Sequence, residues 1–495
     1  MVYTGTRTPS THTVSAAEAI KEGLSPDGGL YMPMELPVLT LAEIEVLLTK
    51  SYAARAAYIL GKYLTDYSTE ELREDCSGAY AEARFPGGAA PVRRLDDETY
   101  MLELWHGPTA AFKDMALQIM PRLLSRALVK TGEKRTALIL VATSGDTGKA
   151  ALEGYRDIPG TKIQVFYPVD GVSEVQKLQM MTQEGKNVSV AAIRGNFDDA
   201  QSGVKRIFAD EDTKSALNEH GVFLSSANSI NWGRLAPQIV YYVSAYCDMV
   251  RNGAIQLGEL IDVCVPTGNF GNIFAAYLAK RMGLPIDRLI CASNTNNVLT
   301  EFLTTGVYDR NRDFVLTTSP SMDILISSNL ERLLYAFSGE DDKLVADYMA
   351  QLNASGRYEV NDAIKAQIHD QFAAGFTSEE ETEETIGKMW REKNYLIDTH
   401  SAVAFHVLEQ YRKETGDNTV AVVASTASPF KFGDAVLKAI GVDDVKSGVA
   451  LLDQLAEVSG IPAPAPLAAL KTKTPRFDQC VEKENMEQAV LGFLS

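Results

Sequence analysis

Residues 136–148 of the chain read TALILVATSGDTG, an apolar run that passes directly into a turn of small hydroxyl and glycine residues. An alanine-rich helical segment follows, and the same succession of strand and helix is repeated from residue 162 to residue 224. Strands that alternate with helices of this length pair in parallel, and helices cover both faces of the sheet. The sequence therefore predicts an α/β fold.

The pattern of apolar strand, loop and helix starts again at residue 260, which indicates a second lobe of the same kind. A chain of 495 residues also exceeds the roughly 250–300 residues that a single core usually supports. We therefore expect an N-terminal segment at 1–90, one α/β lobe at 91–250 and another at 251–495. From about 297 to 392, helical and acidic stretches dominate and strands are scarce, which predicts a mostly helical insertion in the second lobe.

The charge and the cysteine content argue against several classes of protein. The net charge is −18, which disfavours broad contact with nucleic acid or with an anionic membrane surface. The five cysteines are scattered without a CxxC pair, and no HExxH motif is present, so we expect neither a disulfide framework nor a metal centre. No apolar run approaches the ~18 residues that span a bilayer, and the first residues lack a signal-peptide pattern. We therefore expect a cytoplasmic protein, a monomer or a small homo-oligomer, that acts on a small molecule.

Residues 105–114 read WHGPTAAFKD and contain a single amine, Lys113. A Gly-Pro turn and small or aromatic residues precede the amine, and an apolar helical run follows it. Apolar surroundings disfavour the ammonium form, so we expect the pKa of Lys113 to fall. A neutral lysine is a nucleophile that can form a Schiff base with an aldehyde or a ketone. The alternative is an ordinary surface lysine whose stem packs and whose amine stays in water.

Three loops at the ends of strands have the composition of anion-binding turns. Residues 267–272 read TGNFGN and open a helix, where glycines and successive N–H groups can cradle a phosphate. Residues 143–149 read TSGDTGK and end in Gly-Lys, as a P-loop does. The P-loop pattern requires Ser or Thr after the lysine, and Ala150 stands there instead. The alternative is a nest of hydroxyls and amides sized for a carboxylate. Residues 425–428 read STAS and can bond a ring nitrogen or cap a helix. Each loop also has a plain interpretation as a tight turn or a helix cap.

Taken together, several stretches of the chain resemble the threonine synthase family, whose members use pyridoxal 5′-phosphate (PLP) in the architecture called fold type II. The matching stretches follow the family's order and are residues 25–33, 106–114, 143–148, 228–234, 266–272 and 425–427. The resemblance implies an α/β enzyme of fold type II with two open parallel-sheet lobes, helices on both faces, an N-terminal segment and a mostly helical insertion.

The resemblance also implies roles for single residues toward the cofactor. Lys113 would bind PLP covalently and, once released, act as a general base. Thr426 would hydrogen-bond the pyridine nitrogen, and a neutral hydroxyl at that position suits elimination better than transamination. The cofactor phosphate would be held by the residues of the glycine loop, which are Gly268, Asn269, Phe270, Gly271 and Asn272.

Toward the substrate, the resemblance implies two groups of residues. Ser144, Asp146 and Thr147 would lie near the substrate carboxylate, and Asp146 would act through its backbone because its own carboxylate repels an anion. Asn231 and Arg234 would lie near the substrate phosphate, since the fork of a guanidinium matches phosphate geometry.

Two further residues are open to more than one interpretation. Lys149 stands where a small residue is expected from the family, and it either adds positive charge to the site or faces solvent. His400 lies in a stretch, 398–403, that resembles a family segment, and we expect a buried, hydrogen-bonded structural histidine there rather than a catalytic one.

The implied reaction converts O-phospho-L-homoserine and water to L-threonine and phosphate, with PLP as the electron sink. Other fold type II lyases, such as a serine or threonine dehydratase or a cysteine synthase, share the lysine and the glycine loop but need no cationic pocket for a substrate phosphate. A catalytically silent, metabolite-binding relative predicts a damaged lysine or phosphate loop, and both are intact here. The sequence favours the phosphohomoserine reaction and leaves the other fold type II lyases and the silent, metabolite-binding relative as alternatives.

Overall fold

The computed structural model describes residues 1–143, 145–169 and 172–494, with the exception of the side chain of residue 198. Its strands are β1 (Tyr3–Gly5), β2 (Tyr31–Pro33), β3 (Val92–Arg94), β4 (Thr99–Glu103), β5 (Thr136–Ala142), β6 (Thr161–Pro168), β7 (Val188–Arg194), β8 (Val222–Ser225), β9 (Ile261–Pro266), β10 (Ile286–Ser293), β11 (Val307–Asp309), β12 (Arg357–Glu359), β13 (Phe372–Phe376), β14 (Ala421–Ser425) and β15 (Cys480–Glu482).

The helices are α1 (Ala16–Glu22), α2 (Leu41–Leu47), α3 (Tyr52–Tyr63), α4 (Thr69–Ala79), α5 (Asp114–Leu117), α6 (Met120–Lys130), α7 (Asp146–Tyr155), α8 (Glu174–Met181), α9 (Phe197–Ala209), α10 (Glu211–Glu219), α11 (Trp232–Arg251), α12 (Gly271–Met282), α13 (Val298–Thr305), α14 (Leu330–Phe337), α15 (Asp342–Ser355), α16 (Asp362–Gln371), α17 (Glu379–Lys393), α18 (Thr399–Thr415), α19 (Gly433–Ala439), α20 (Ala450–Ser459), α21 (Ala465–Ala468) and α22 (Met486–Leu494).

The first α/β sheet has five parallel strands in the order β15-β7-β6-β5-β8. Successive residues of a strand point to opposite faces of its sheet. In β5, Ala137, Ile139 and Val141 join the main hydrophobic core, whereas Leu138 and Leu140 join a separate core with residues of α9 and α22. Both faces of this sheet are therefore covered, as expected for parallel strands.

The second sheet has six strands in the order β13-β10-β9-β14-β4-β3, all parallel except the edge strand β3, which runs antiparallel to β4. Val263 and Val265 of β9 join the main core, and Cys264 between them packs into a second core that includes residues of α18. The prediction of an α/β protein with parallel sheets and helices is confirmed.

Each sheet includes strands that come from both of the predicted lobes. β3 and β4 end before residue 104 but belong to the second sheet, and β15 joins the first sheet from residue 480 onward. Pairing across such sequence separations has no local sequence signal, so the alternation of strands and helices did not indicate it. The division of the chain at residues 90 and 250 stays a prediction of domain bounds, while both sheets draw on strands from either side of residue 250.

The stretch predicted to be a mostly helical insertion contains α13 to α17 together with three short strands. β11 pairs with β12, and β13 pairs in parallel with β10 at the edge of the second sheet. β13 reads FAAGF and has no β-branched residue, which explains why its sequence did not indicate a strand. The stretch is mostly helical, and strands are scarce in it, as the sequence predicts.

The N-terminal segment packs α1 against α6 and α3 against α11, and its buried residues belong to the main core. Side-chain oxygens of Ser15, Thr40, Ser51 and Ser68 cap α1 to α4, each accepting a backbone N–H of the first turn. Among the described residues, no helix combines the length and the apolar character needed to cross a membrane.

The pairing of β4 with β14 positions the two segments that leave these strands. Beyond the ladder, the Leu104 N–H donates to the Ser425 carbonyl (2.9 Å), and the Phe112 N–H donates to the Thr426 carbonyl (2.7 Å). Because parallel strands end at the same edge of a sheet, the segments that carry Lys113 and Thr426 leave it side by side.

Candidate active site

Lys113 lies at the end of the turn that follows β4, immediately before α5. Asp114 fixes this turn, because its buried carboxylate accepts the Thr109 N–H (2.8 Å) and the Thr109 hydroxyl (2.7 Å). A Cβ added at Gly107 would lie 2.5 Å from Asp114 Oδ2, so this position has no room for a side chain. Ala110 adopts the left-handed region at φ 58°, which few residues other than glycine do. The turn is therefore a defined structure that presents Lys113.

The Lys113 amine has the surroundings of a reactive lysine. Its Nζ donates to Ser321 Oγ (3.0 Å) and lies 5.5 Å from the centre of the Phe112 ring. The side chain stays partly accessible, as required of a group that reacts with a bound molecule. Desolvation is the largest cause that lowers its pKa to about 8, with Arg234 and Lys431 acting in the same direction and Asp146 opposing them. The expected lowering of the pKa of Lys113 is confirmed.

The glycine loop forms the N-terminus of α12, as the sequence predicts. Phe270 precedes the helix in the left-handed region at φ 61° and is buried. The loop is held from one side, because the Asn329 N–H and Nδ2 both donate to the Asn269 carbonyl and Ser327 Oγ donates to the Gly268 carbonyl. The first N–H groups of a helix have no partner within it, so this loop offers donors to an anion.

Ser321 connects the glycine loop to the reactive amine. A Cβ added at Gly268 would lie 2.6 Å from the Ser321 carbonyl oxygen, while Ser321 Oγ accepts from Lys113. One residue of the 320–322 turn therefore touches both parts of the site, although no local sequence motif marks it. The sequence analysis missed Ser321 for that reason.

The side chain of Asn272 fits a phosphate group. Its Oδ1 accepts hydrogen bonds from the hydroxyls of Tyr241 and Tyr242, which fixes the orientation of the amide. Its Nδ2 is buried and has no partner within the described part of the chain. A buried, unpaired donor is costly in a native protein unless a ligand satisfies it. Together with the N-terminus of α12, this donor is suited to the phosphate of PLP.

A buried ion pair borders Lys113 on the side of α7. Lys431 Nζ lies 2.7 Å from Asp146 Oδ1, and Gln176 Nε2 donates to the same oxygen (2.8 Å). Burial acts to raise the pKa of Asp146, but the charges of Lys431 and Lys113 outweigh it and hold this pKa well below its usual range. Lys431 thus compensates the charge of the Asp146 carboxylate inside the protein. The sequence suggested that this carboxylate would repel an anionic substrate, and the ion pair removes that repulsion.

Lys431 was missed in the sequence, although a signal was available. It is a lone cation in the apolar run 429–432, directly after the serine and threonine loop, and its side chain is fully buried. Thr147 is partly accessible in the first turn of α7, beside Asp146, while Ser144 lies outside the described residues.

The two residues expected near the substrate phosphate differ in what their side chains do. Asn231 caps α11, because its Oδ1 accepts the Gly233 N–H (2.8 Å), and its Nδ2 donates to the Ile20 carbonyl (2.9 Å). Arg234 is buried and donates to the Ala227 carbonyl (2.6 Å), and it has no carboxylate within ion-pair distance among the described residues. Burial lowers the pKa of Arg234 to about 10. Arg234 is therefore a buried cation without a counter-ion among the residues that the structure describes, whereas the amide of Asn231 is already engaged at both ends.

Two other predicted positions have defined surroundings. Thr426 is buried, and its N–H donates to Ser401 Oγ (3.2 Å). Lys149 neither faces solvent nor reaches Lys113 by hydrogen bond; it is buried, donates to Gln183 Oε1 and pairs with Glu153 (3.5 Å). Desolvation lowers the pKa of Lys149 to about 8.

Comparisons with known proteins agree with this geometry. A family model described as pyridoxal-phosphate dependent enzyme matches residues 88–426. Models described as threonine synthase N terminus and threonine synthase, C-terminal match residues 2–80 and 401–490.

Three similar proteins illustrate the match. The chain is 40% identical over 439 residues to threonine synthase-like 1 of Homo sapiens, covering 87% of this chain and 58% of that protein. It is 40% identical over 429 residues to threonine synthase of Pseudomonas aeruginosa, covering 85% and 87% of the two chains. It superposes on the PLP-bound threonine synthase of Brucella melitensis with a TM-score of 0.88 at 37% identity, covering 100% and 99%. The chain thus spans well under two thirds of the human relative and most of the bacterial one.

The fold and the arrangement around Lys113 are those of a PLP-dependent enzyme of fold type II, and PLP is its cofactor. Matches to both terminal family models extend the likeness beyond the catalytic part of the chain. The chain belongs to the threonine synthase family.

Proposed function

We propose that this protein converts O-phospho-L-homoserine and water to L-threonine and phosphate. The observation that carries the proposal is Arg234, a buried guanidinium without a carboxylate partner in the described chain, close enough to Lys113 to lower its pKa. Burying a cation is costly unless an anion compensates it. A substrate that brings its own phosphate supplies that anion, and a guanidinium binds phosphate with two donors in a fixed fork.

PLP, when bound, supplies the electron sink for charge that develops on the substrate carbons. We assign its phosphate to the backbone of Gly268, Asn269, Phe270 and Gly271 and to Asn272 Nδ2, which is the unpaired donor at the start of α12. We assign its ring nitrogen to Thr426, whose segment lies beside that of Lys113. A hydroxyl at the ring nitrogen favours elimination chemistry, in agreement with loss of phosphate from the substrate.

Lys113 is the proton carrier in this proposal. With a pKa of about 8, the amine is neutral often enough near neutral pH to accept the proton from Cα and then to exchange a proton at Cβ. Loss of a proton from Cβ supplies the electron pair of a new Cβ–Cγ bond as the bond from Cγ to oxygen breaks, with its own electron pair leaving on phosphate. A proton then adds at Cγ, the oxygen of a water adds at Cβ while the water gives up a proton, and a proton returns to Cα. Lys113 is the residue best placed to move these protons, because its amine reaches into the partly accessible part of the site.

The remaining residues orient the substrate. Thr147, Ser144 and the backbone at Asp146 are assigned to the substrate carboxylate, since the Asp146 side chain is already neutralised by Lys431 and bonded to Gln176. Arg234 is assigned to the substrate phosphate, and Asn231 acts by capping α11 and so placing Arg234 in its first turn. Holding both ends of the substrate fixes the Cα proton toward Lys113.

The test is product analysis with purified protein and PLP. Phosphate and threonine are expected in equal amounts from phosphohomoserine, and Lys113→Ala is expected to lose both turnover and the visible band of lysine-bound PLP that borohydride removes. Serine serves as the comparison substrate, because it has the same α-amino acid group without a phosphate. Turnover of serine but not of phosphohomoserine would point to the dehydratase alternative and reject the proposal.

A further inference from the structure

The N-terminus of α18 contains a buried carboxylate that bonds in two directions. Asp398 is fully buried and caps the helix. Its Oδ2 accepts from the backbone N–H (3.0 Å) and the ring Nδ1 (3.0 Å) of His400. Its Oδ1 accepts from the hydroxyl and the backbone N–H of Ser401. The two oxygens of one carboxylate therefore orient two different side chains.

The first direction leads to Lys113. The backbone N–H of Ser321 donates to His400 Nε2 (3.1 Å), so Nε2 has to be the unprotonated ring nitrogen. The ring proton then lies on Nδ1, where it is donated to Asp398. Because Ser321 also accepts from Lys113 and lies against Gly268, the tautomer of His400 fixes the turn that touches both parts of the cofactor site.

The second direction leads to Thr426. Ser401 Oγ donates to Asp398 and accepts the backbone N–H of Thr426 (3.2 Å). Thr426 is the residue assigned to the ring nitrogen of PLP. The carboxylate of Asp398 is thus one hydrogen-bonded residue away from Thr426 and two away from Lys113.

Capping alone does not explain a carboxylate at this position. Serine or threonine caps α1 to α4 with an uncharged hydroxyl, and the aspartates that cap α10 and α15, Asp210 and Asp341, are exposed to solvent. Asp398 has no lysine or arginine within ion-pair distance in the described chain, so burying it is costly. Within the described residues, the four donors to its carboxylate come from His400 and Ser401. The charge is used to hold these two residues.

We propose that Asp398 and His400 are positioning residues for the cofactor, which set the distance between Lys113, the glycine loop and Thr426 by orienting Ser321 and Ser401. The inference rests on the placement of PLP given under the proposed function. It assigns to this pair no contact with the substrate and no proton transfer. It predicts that disturbing the pair weakens PLP binding even where the helix stays folded.

The test uses two substitutions that divide the contacts of His400. His400→Asn keeps an amide near the position of Nδ1, within reach of Asp398, and removes the acceptor for the Ser321 N–H. His400→Gln carries a carbonyl near the position of Nε2 and keeps that acceptor. We expect the Kd for PLP, measured by titration of the apoprotein, to rise about two- to tenfold in His400→Asn, the range for one net hydrogen bond, and to stay within about twofold of wild type in His400→Gln.

His406→Asn is the matched control, because His406 lies on the same helix and bonds to Thr385 and Gln410, away from the site. The rate at which PLP attaches to Lys113 and the melting temperature of each apoprotein are recorded alongside. A lowered melting temperature with a wild-type Kd and attachment rate in His400→Asn overturns the proposal, since a purely structural role gives that result. Equal weakening of PLP binding in the Asn and Gln variants overturns it as well.

A second variant covers the case in which His400→Asn does not fold. Ser401→Ala removes the acceptor for the Thr426 N–H and leaves the contact between His400 and Asp398 in place. PLP binding is expected to weaken about two- to tenfold, and an unchanged Kd overturns the part of the proposal that concerns Thr426. None of these measurements requires phosphohomoserine, so failure of the proposed reaction and failure of this inference are separate outcomes.

Discussion

The amine of Lys113 donates a hydrogen bond to the hydroxyl of Ser321, 208 residues further along the chain, at 3.0 Å. Ser321 belongs to a short turn, 320–322, that also lies against Gly268. The segment that contacts both the amine of Lys113 and the glycine loop therefore lies outside every motif that the sequence analysis identified.

Gly268→Ala is expected to weaken PLP binding by tenfold or more. The new Cβ would lie 2.6 Å from the Ser321 carbonyl oxygen, so either the glycine loop or the 320–322 turn has to move away from the cofactor. The measurement is the Kd for PLP from titration of the apoprotein. Gly61→Ala is the control, because the nearest atom to its added Cβ is a leucine methyl at 3.6 Å. Unchanged PLP binding in Gly268→Ala would show that the loop does not hold the cofactor.

The rate of PLP attachment to Lys113 is expected to rise about tenfold per pH unit below pH 8 and to level off above it, because only the neutral amine attacks the aldehyde. An ordinary lysine keeps accelerating toward its usual pKa of 10.5. Between these two values the unfolded chain binds more protons at Lys113 than the folded chain does, so the contribution of this lysine to stability increases as the pH rises from 8 to 10.5. Stopped-flow absorbance measures the attachment rate from below pH 8 up to pH 10.5, with a simple alkyl amine as the reference. Continued acceleration to pH 10 contradicts the lowered pKa.

Arg234→Met is expected to raise the KM for phosphohomoserine about ten- to hundredfold, which corresponds to the loss of hydrogen bonds to a charged group. The Kd for PLP should change little, because the cofactor phosphate is assigned to the start of α12. Steady-state kinetics and PLP titration measure the two quantities. Arg251→Met is the control, since Arg251 lies at the exposed end of the same helix and pairs with Asp248. A loss of PLP affinity without a change in KM would place Arg234 at the cofactor instead.

Asp146→Asn is expected to destabilise the protein by about 3–5 kcal/mol, because it leaves the buried ammonium of Lys431 without its partner. The double variant Asp146→Asn, Lys431→Met removes both charges and should recover most of that loss. Guanidinium unfolding of the apoproteins measures the difference. If the single and double variants are equally unstable, the loss comes from packing and not from the uncompensated charge.

The sequence predicted the architecture well where the signal is local. Short apolar strands followed by helices indicated parallel sheets, and the glycine loop was expected at the start of α12, where the structure has it. The exchange of strands between the two sheets was not predictable, because β4 and β14 are more than 300 residues apart and neither carries a mark of its partner.

The candidate site was predictable to a similar degree. Lys113 and the loop 267–272 have distinctive composition, and their mutual contact through Ser321 depends on a turn without any such signature. Lys431 is a lone cation in an apolar run, a signal that was present and not used. Asn231 was expected near the substrate because of its neighbours in the sequence, and only the structure reveals that its amide caps α11 and bonds to Ile20.

The register between β4 and β14 has a consequence for how the protein matures on the ribosome. Thr426 cannot take its place beside Lys113 until residues 421–425 have emerged and paired with 99–103. A nascent chain that already contains Lys113 and the glycine loop therefore lacks β14, the strand that lies between β4 and β9 in the second sheet. PLP added during translation should be captured only after synthesis passes this strand, and the exposed edges of β4 and β9 are the surfaces that need protection until then.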